Sequence, residues 1–223
     1  MSTGLHAFAD DAERAGRLAD ALDLPLRLVE RHVFPDGETL VTIQGADRRV
    51  LVYRSLDQPN AKLFPLAQAC DAWRRADAER LVLVAPYMAY LRQDAVFAPG
   101  QSLSRNVLGR FLGERFDRIV TVEPHLHRTG DLSEVFGVET TALAAAAELA
   151  AALTGGPDLL VVGPDAESLA WTERLAGLMG APSATFLKVR RGDAHVELEL
   201  DASVRVAGRP VVLVDDICAS GAT

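Results

Sequence analysis

The sequence predicts an α/β protein with parallel central sheets flanked by helices. Three observations carry this. Short aliphatic runs alternate with helical stretches along the whole chain. The run Leu81–Ala85 is continuously apolar, as a strand covered on both faces must be. The rhythm of residues 81–122 resembles that of residues 159–214, so two similar halves are expected.

Strands are expected at Leu26–Val29, Leu40–Ile43 and Val50–Tyr53. A helix follows over Ala61–Ala76, because Leu63, Leu66, Ala67, Cys70 and Trp73 recur at helical spacing. Pro86 ends the Leu81–Ala85 strand. Leu103, Val107, Leu108 and Phe111 share a face and predict a helix over Leu103–Phe111. Ile119–Val122 reads as a strand and the alanine-rich stretch Thr141–Leu153 as a helix. Leu159–Val162 is a strand closed by Gly163-Pro164, and Glu167–Met179 a helix closed by Gly180 and Pro182. Ala184–Leu187, Val196–Leu200 and Val211–Val214 complete the strands. The halves divide into residues 1–148 and 149–223, with Thr154-Gly155-Gly156-Pro157 as the candidate linker.

The chain has 223 residues, a length for one large or two small domains and a sizeable core. Its net charge of −8 argues against a broad basic surface for nucleic acid. Local arginines, backbone amides and a metal can still hold phosphates within an acidic protein. Cys70 and Cys218 form neither a metal-ligand pattern nor a disulfide framework, which points to a reducing cytoplasm. The amino terminus lacks the pattern of a signal peptide, and no apolar run reaches the roughly 18 residues of a membrane helix.

Chemistry concentrates at strand ends. Val211–Val214 leads into Asp215-Asp216, then into the small-residue loop Ile217-Cys218-Ala219-Ser220-Gly221-Ala222-Thr223. Ligands of open parallel sheets bind beyond the carboxyl ends of strands. Carboxylates there can hold sugar hydroxyls or a metal, and small residues let backbone N–H groups close on a phosphate. The Asp pair alone also fits an acidic turn before a helix. Four other segments matter. Phe34-Pro35-Asp36-Gly37-Glu38 contains a turn sequence. Pro86-Tyr87-Met88-Ala89-Tyr90-Leu91-Arg92-Gln93-Asp94 follows a strand, with Arg92 and Gln93 able to meet a phosphate or a base. Glu123-Pro124-His125-Leu126-His127 sets two histidines beyond another strand. Gly163-Pro164-Asp165-Ala166 lets Asp165 reach a metal or its waters. Singly, each fits an ordinary turn or loop as well.

Taken together and in this order, these segments resemble the ribose-phosphate diphosphokinases over most of the chain. That family carries an FPDGE-type turn, a PY-x-x-Y-x-RQD loop, a strand ending in histidine, an SPDAGG-type turn, a K-x-R pair and a DDxxxTGGT-type loop. The Glu-Pro-His-Leu-His stretch is similar to the shorter archaeal-type members. The resemblance implies two phosphoribosyltransferase-like halves. It implies transfer of the β,γ-diphosphoryl group of ATP to the 1-hydroxyl of ribose 5-phosphate, giving phosphoribosyl pyrophosphate and AMP. It assigns Asp36, Gly37, Glu38, Arg92 and Gln93 to ATP, the turn residues serving a neighbouring subunit's site. It assigns His125 and Asp165 to Mg²⁺, and Lys188 and Arg190 to catalysis on a mobile flap. Arg190, Asp215, Asp216, Ala219, Ser220, Gly221, Ala222 and Thr223 fall to ribose 5-phosphate. A shared ATP site implies a homo-oligomer, a dimer or higher; neither nucleic acid nor membrane is expected as a partner.

The sequence departs from the family at several places. Glu167-Ser168 stands where the family has Gly-Gly, adding side chains and a negative charge beside Asp165. Ala219 replaces a residue that is often polar, and Ala222 replaces a glycine. The sequence ends at Thr223, inside the sugar-phosphate loop, so a truncated second half is expected. Two other functions stand beside the enzyme: a non-catalytic relative that binds phosphates or partner subunits, and a phosphoribosyltransferase that consumes the product. The FPDGE and RQD segments disfavour the second, since they belong to an ATP site.

Overall fold

The computed structural model describes residues 2–126, 130–190, 196–200 and 204–217, with backbone alone at 188–190 and 196–199. The chain divides into two compact units, Met1–Leu143 and Ala144–Thr223.

The first unit is a seven-stranded sheet in the order β3-β2-β1-β4-β5-β6-β7. Its strands are β1 (Thr3–Phe8), β2 (Leu26–Val33), β3 (Thr39–Thr42), β4 (Arg49–Tyr53), β5 (Arg80–Ala85), β6 (Arg118–Val122) and β7 (Glu139–Leu143). All neighbours pair in parallel except β2 with β3, a hairpin at the edge. The helices are α1 (Ala12–Leu22), α2 (Asn60–Arg75), α3 (Ser104–Gly113) and α4 (Leu132–Phe136). Strand order reverses between β1 and β4, where doubly wound sheets open a crevice beyond their carboxyl ends. Leu66, Ala69, Cys70 and Trp73 of α2 pack with Val50, Val52, Leu81 and Leu83 in the main core.

The second unit has a three-stranded parallel sheet, β12-β8-β9, and a separate antiparallel pair, β10-β11. These are β8 (Leu160–Gly163), β9 (Ser183–Thr185), β10 (Leu187–Arg190), β11 (Val196–Glu199) and β12 (Val211–Leu213). The helices are α5 (Ala146–Ala152) and α6 (Leu169–Met179). Leu159, Val161, Leu175, Ala176, Met179 and Val214 form its core.

Several elements differ from their sequence expectation. Thr141–Leu153 is not one helix. Residues 139–143 form β7, with Thr141 paired to Val120, and the helix starts only at Ala146. The β-branched threonines suit the open edge of a sheet better than a helix. The helix expected from Glu167 begins as the 3-10 turn Ala166–Ser168 and becomes α-helical at Leu169. Ala184–Leu187 divides between β9 and β10, with Phe186 donating its N–H to the Gly163 carbonyl. β1 and α1 were not anticipated. Thr3–Phe8 carries a glycine and a histidine in place of β-branched residues, yet all but its first residue are buried. A Cβ at Gly4 would come within 2.3 Å of Asp47 Oδ2, so the site demands glycine.

Candidate functional site

In the second unit, β8 and β12 lie side by side and parallel, so the loops leaving them emerge together. One carries Asp165, the other Asp215 and Asp216. Gly163, the last residue of β8, sits so close to the start of α6 that a Cβ would meet Ser168 Oγ and Thr172 Oγ1 at 2.3 Å each. The turn after it is closed by a reciprocal cap. Asp165 Oδ1 accepts the N–H groups of Glu167 at 3.1 Å and Ser168 at 3.2 Å. Ser168 Oγ donates back to the Asp165 carbonyl at 2.7 Å. The main-chain N–H groups of residues 167 and 168 thus hold the Asp165 carboxylate, while the Ser168 hydroxyl, a departure from the family pattern, turns onto the main chain of Asp165. Glu167 is exposed.

Asp215 receives the Asp216 N–H on Oδ1 at 2.9 Å. Its side chain is exposed, yet partial loss of hydration, then Asp216, then the charge of Asp165 raise its pKa above the ordinary carboxylate value. The charges of Asp216 and Asp165 thus reach Asp215, and a carboxylate so placed favours a ligand that brings hydroxyl donors or a cation. Lys188 and Arg190 lie on β10, paired antiparallel to Leu198 and Val196. Their side chains, and the whole of Ala219, Ser220, Gly221, Ala222 and Thr223, fall outside the described residues.

In the first unit, the expected site segments lie at the carboxyl edge of the sheet. The turn 34–38 joins β2 to β3. Phe34 N–H donates to the Glu38 carbonyl at 2.8 Å, Gly37 N–H to the Phe34 carbonyl at 2.9 Å, and Glu38 N–H to Asp36 Oδ1 at 3.0 Å. Gly37 has φ +89°, which explains the glycine. Asp36, Gly37 and Glu38 are all exposed. The loop after β5 buries Met88, Ala89 and Leu91 and exposes Arg92 and Gln93. Its form is pinned by Gln93 N–H on the Tyr90 carbonyl at 3.0 Å and Arg105 N–H on the Gln93 carbonyl at 3.3 Å. His125 follows β6 and is half-buried, just beyond Glu123 at φ +40°.

Among the described residues no group of three or more His, Cys, Asp or Glu side chains encloses a metal point. Among the same residues no helix is long and apolar enough to cross a membrane.

The residues that sequence reasoning missed are those that support these segments: Ser168 with Thr172 under Asp165, and Gln68 and Asn60 of α2. Only Ser168 left a local trace, as the polar residue three places after Asp165.

Residues 5–114 match the family model described as the N-terminal domain of ribose phosphate pyrophosphokinase, and residues 138–223 match the phosphoribosyl transferase domain. The ribose-phosphate pyrophosphokinase of Methanopyrus kandleri is 36% identical over 225 residues, which covers 97% of this chain and 75% of that protein. The chain belongs to the ribose-phosphate pyrophosphokinase family. The pyrophosphokinase of Halobacterium salinarum is 37% identical over 214 residues, covering 94% of this chain and 74% of the relative. The phosphoribosylpyrophosphate synthetase of Mycobacterium smegmatis has the same fold, with a TM-score of 0.80 at 24% identity over 96% of this chain and 71% of that structure. The pyrophosphokinase family is the one the ordered motifs implied.

Proposed function

We propose that this chain is a ribose-phosphate pyrophosphokinase that transfers the β,γ-diphosphoryl group of ATP to the 1-hydroxyl of ribose 5-phosphate, releasing AMP. Family membership supports the reaction. The observation that carries the site is the carboxylate group Asp165, Asp215 and Asp216 at neighbouring strand ends.

Asp215 and Asp216 accept the ribose hydroxyls. Each hydroxyl that donates to Asp215 offsets the lost hydration, and then the Asp216 interaction, that raise its pKa, so sugar binding favours the ionised carboxylate. The small-residue loop Ala219–Thr223 takes the 5-phosphate, and Arg190 adds a cation to it. The exposed Arg92 and Gln93, with Asp36, Gly37 and Glu38, take ATP. Lys188 and Arg190 stand against the negative charge that spreads over the transferred oxygens, where positioned cations accelerate phosphoryl chemistry most.

The donor set fits Mg²⁺. Asp165 offers a hard oxygen ligand among like charges, and Mg²⁺ usually takes one or two carboxylates and completes its shell with waters and phosphates. A three-ligand protein cage is not required. Asp165 would hold the ion, which would supply positive charge to the phosphate oxygens when bound. The main-chain N–H groups of residues 167 and 168 keep Asp165 oriented, and the Ser168 hydroxyl is taken up by the Asp165 carbonyl, so the Glu167-Ser168 departure is compatible with catalysis. The enzyme is cytoplasmic and a homo-oligomer, with the 34–38 turn serving a neighbouring subunit.

The test is phosphorus NMR of the protein incubated with ATP, Mg²⁺ and ribose 5-phosphate. AMP and phosphoribosyl pyrophosphate should appear in equal amounts, and neither when any component is omitted. Bound ATP without AMP would instead establish a non-catalytic relative.

A further inference from the structure

Both segments of the first unit assigned to ATP are fastened to one helix. Gln68 of α2 donates from Nε2 to the Thr39 carbonyl at 2.6 Å, and the Thr39 hydroxyl donates to Gln68 Oε1 at 2.8 Å. One amide thus grips one residue through two reciprocal bonds, both part-buried. Thr39 is the first residue of β3 and follows Glu38 directly. The second attachment is at the start of the same helix. Asn60 Oδ1 accepts a hydrogen bond from the Tyr90 phenol at the surface. Tyr90 lies two residues before Arg92, and its φ of +62° is a conformation that a bulky side chain adopts only under constraint. Beneath it, Leu56 N–H donates to the Tyr87 carbonyl at 3.1 Å, so the loop before α2 also holds the loop after β5.

The helix can serve as a rigid reference. Leu66, Ala69, Cys70 and Trp73 are buried in the main core, which holds α2 without help from Gln68 or Asn60. Those two residues spend their polar groups on the loops. Neither bond closes a local turn: Gln68 and Thr39 are 29 positions apart, and Tyr90 and Asn60 are 30 apart.

We infer that Gln68 and Asn60 are positioning residues for ATP, setting the 34–38 turn and the Arg92-Gln93 loop from α2. This rests on the reading that those two segments contact ATP. A loop held in its binding conformation loses less entropy when nucleotide arrives, so the clasp acts on ATP affinity and not on the chemical step.

The experiment compares Gln68→Leu and Tyr90→Phe with the unaltered chain, and Arg92→Ala tests the underlying reading. Calorimetry with Mg·ATP alone gives affinity, and steady-state assays give kcat and KM for each substrate. Gln68→Leu should weaken ATP binding about tenfold and Tyr90→Phe about threefold, the scale of one or two hydrogen bonds. KM for ribose 5-phosphate and kcat should stay within about twofold of the unaltered chain, since uniform binding alone is lost. If Gln68→Leu fails to fold, Tyr90→Phe, which removes one oxygen, decides alone. Unchanged ATP affinity in both variants, with Arg92→Ala weakening it, overturns the positioning role. A shared rise in both KM values, or a fall in kcat alone, overturns it too, because a merely structural clasp would act that way. If Arg92→Ala leaves ATP affinity unchanged, the ATP reading of that loop fails first and the inference falls with it.

Discussion

Arg54 and Asp47 in the first unit and Asp215 in the second are all charged groups near strand ends, but their surroundings differ. Arg54 is fully buried, stacked 4.3 Å over the Phe8 ring and bonded through Nη1 to Asp10 and, at 2.8 Å, to Asp11. Burial pushes the Asp10 carboxyl up, but the Arg54 hydrogen bond and charge outweigh it and hold the pKa below the usual range. Asp47 behaves alike: burial raises it, while Arg27 at 2.7 Å and His6 at 3.2 Å bring it down. In the second unit the balance is reversed. Asp215 is exposed to solvent, yet partial loss of hydration raises it, and Asp216 and the charge of Asp165 raise it further. The first unit sets Arg54 Nη1 and Asp47 against opposite charges, though Arg54 Nε and Nη2 lie buried without a hydrogen bond among the described residues, and the second sets Asp215 beside Asp216. An ion pair ties two parts of a fold together, whereas a carboxylate set beside another is a candidate for binding a hydroxyl donor or a cation.

The largest test of that contrast is a truncation of the second unit's chemistry. Lys188→Ala should lower AMP release by about a thousandfold or more, the scale of losing one group aimed at developing charge. ATP binding by calorimetry and the melting temperature should barely move. A variant that kept its full rate would remove Lys188 from the catalytic assignment.

A truncation in the first unit should do the reverse. Asp47→Ala leaves Arg27 and the fully buried His6 without their shared acceptor. Leaving the buried His6 N–H without an acceptor costs about 2 kcal/mol, while Arg27 can turn to solvent. Urea unfolding should show that loss, while the fraction that remains folded binds ATP with unaltered affinity. A loss below about 1 kcal/mol would mean the network is solvated and the pair only superficial.

Legibility followed the same line. Continuous apolar runs such as Leu81–Ala85, and motifs whose residues adjoin in sequence, could be read directly. The turn 34–38 and the Asp215-Asp216 pair sit at strand ends as their local pattern required. Contacts between residues distant in sequence could not be read. Gly4 makes sense only once Asp47 is seen against it, and His6 only once Trp73 and Asp47 enclose it. β7 was mistaken for helix because its strand character comes from pairing with β6, while its composition runs straight on into the alanines of α5. The residues proposed for ligand binding announce themselves locally. The residues that hold them are chosen by tertiary neighbours.

The smallest expected effect is a pH slope, and it separates the units by sign. His6 accepts the Trp73 indole N–H on Nδ1 at 3.2 Å, so its proton sits on Nε2 and points to Asp47. Burial lowers its pKa below 6.5, and the Asp47 interactions only partly oppose this. Between the lowered folded pKa and 6.5 the unfolded chain binds the extra proton and the folded chain does not. Stability is therefore full above pH 6.5 and declines as pH falls towards the folded pKa, at no more than about 1.4 kcal/mol per pH unit for one group. Asp215 runs the other way. Its raised pKa favours the folded state at low pH, and that contribution is lost as pH climbs from 3.8 through the raised value. Amide exchange resolved by segment should show the first unit weakening from pH 7 to pH 5.5. In His6→Gln the slope across that interval should flatten, whatever the variant's absolute stability. A slope that persisted would assign the proton to another group and leave the His6–Asp47–Trp73 network with no part in the acid sensitivity of the first unit.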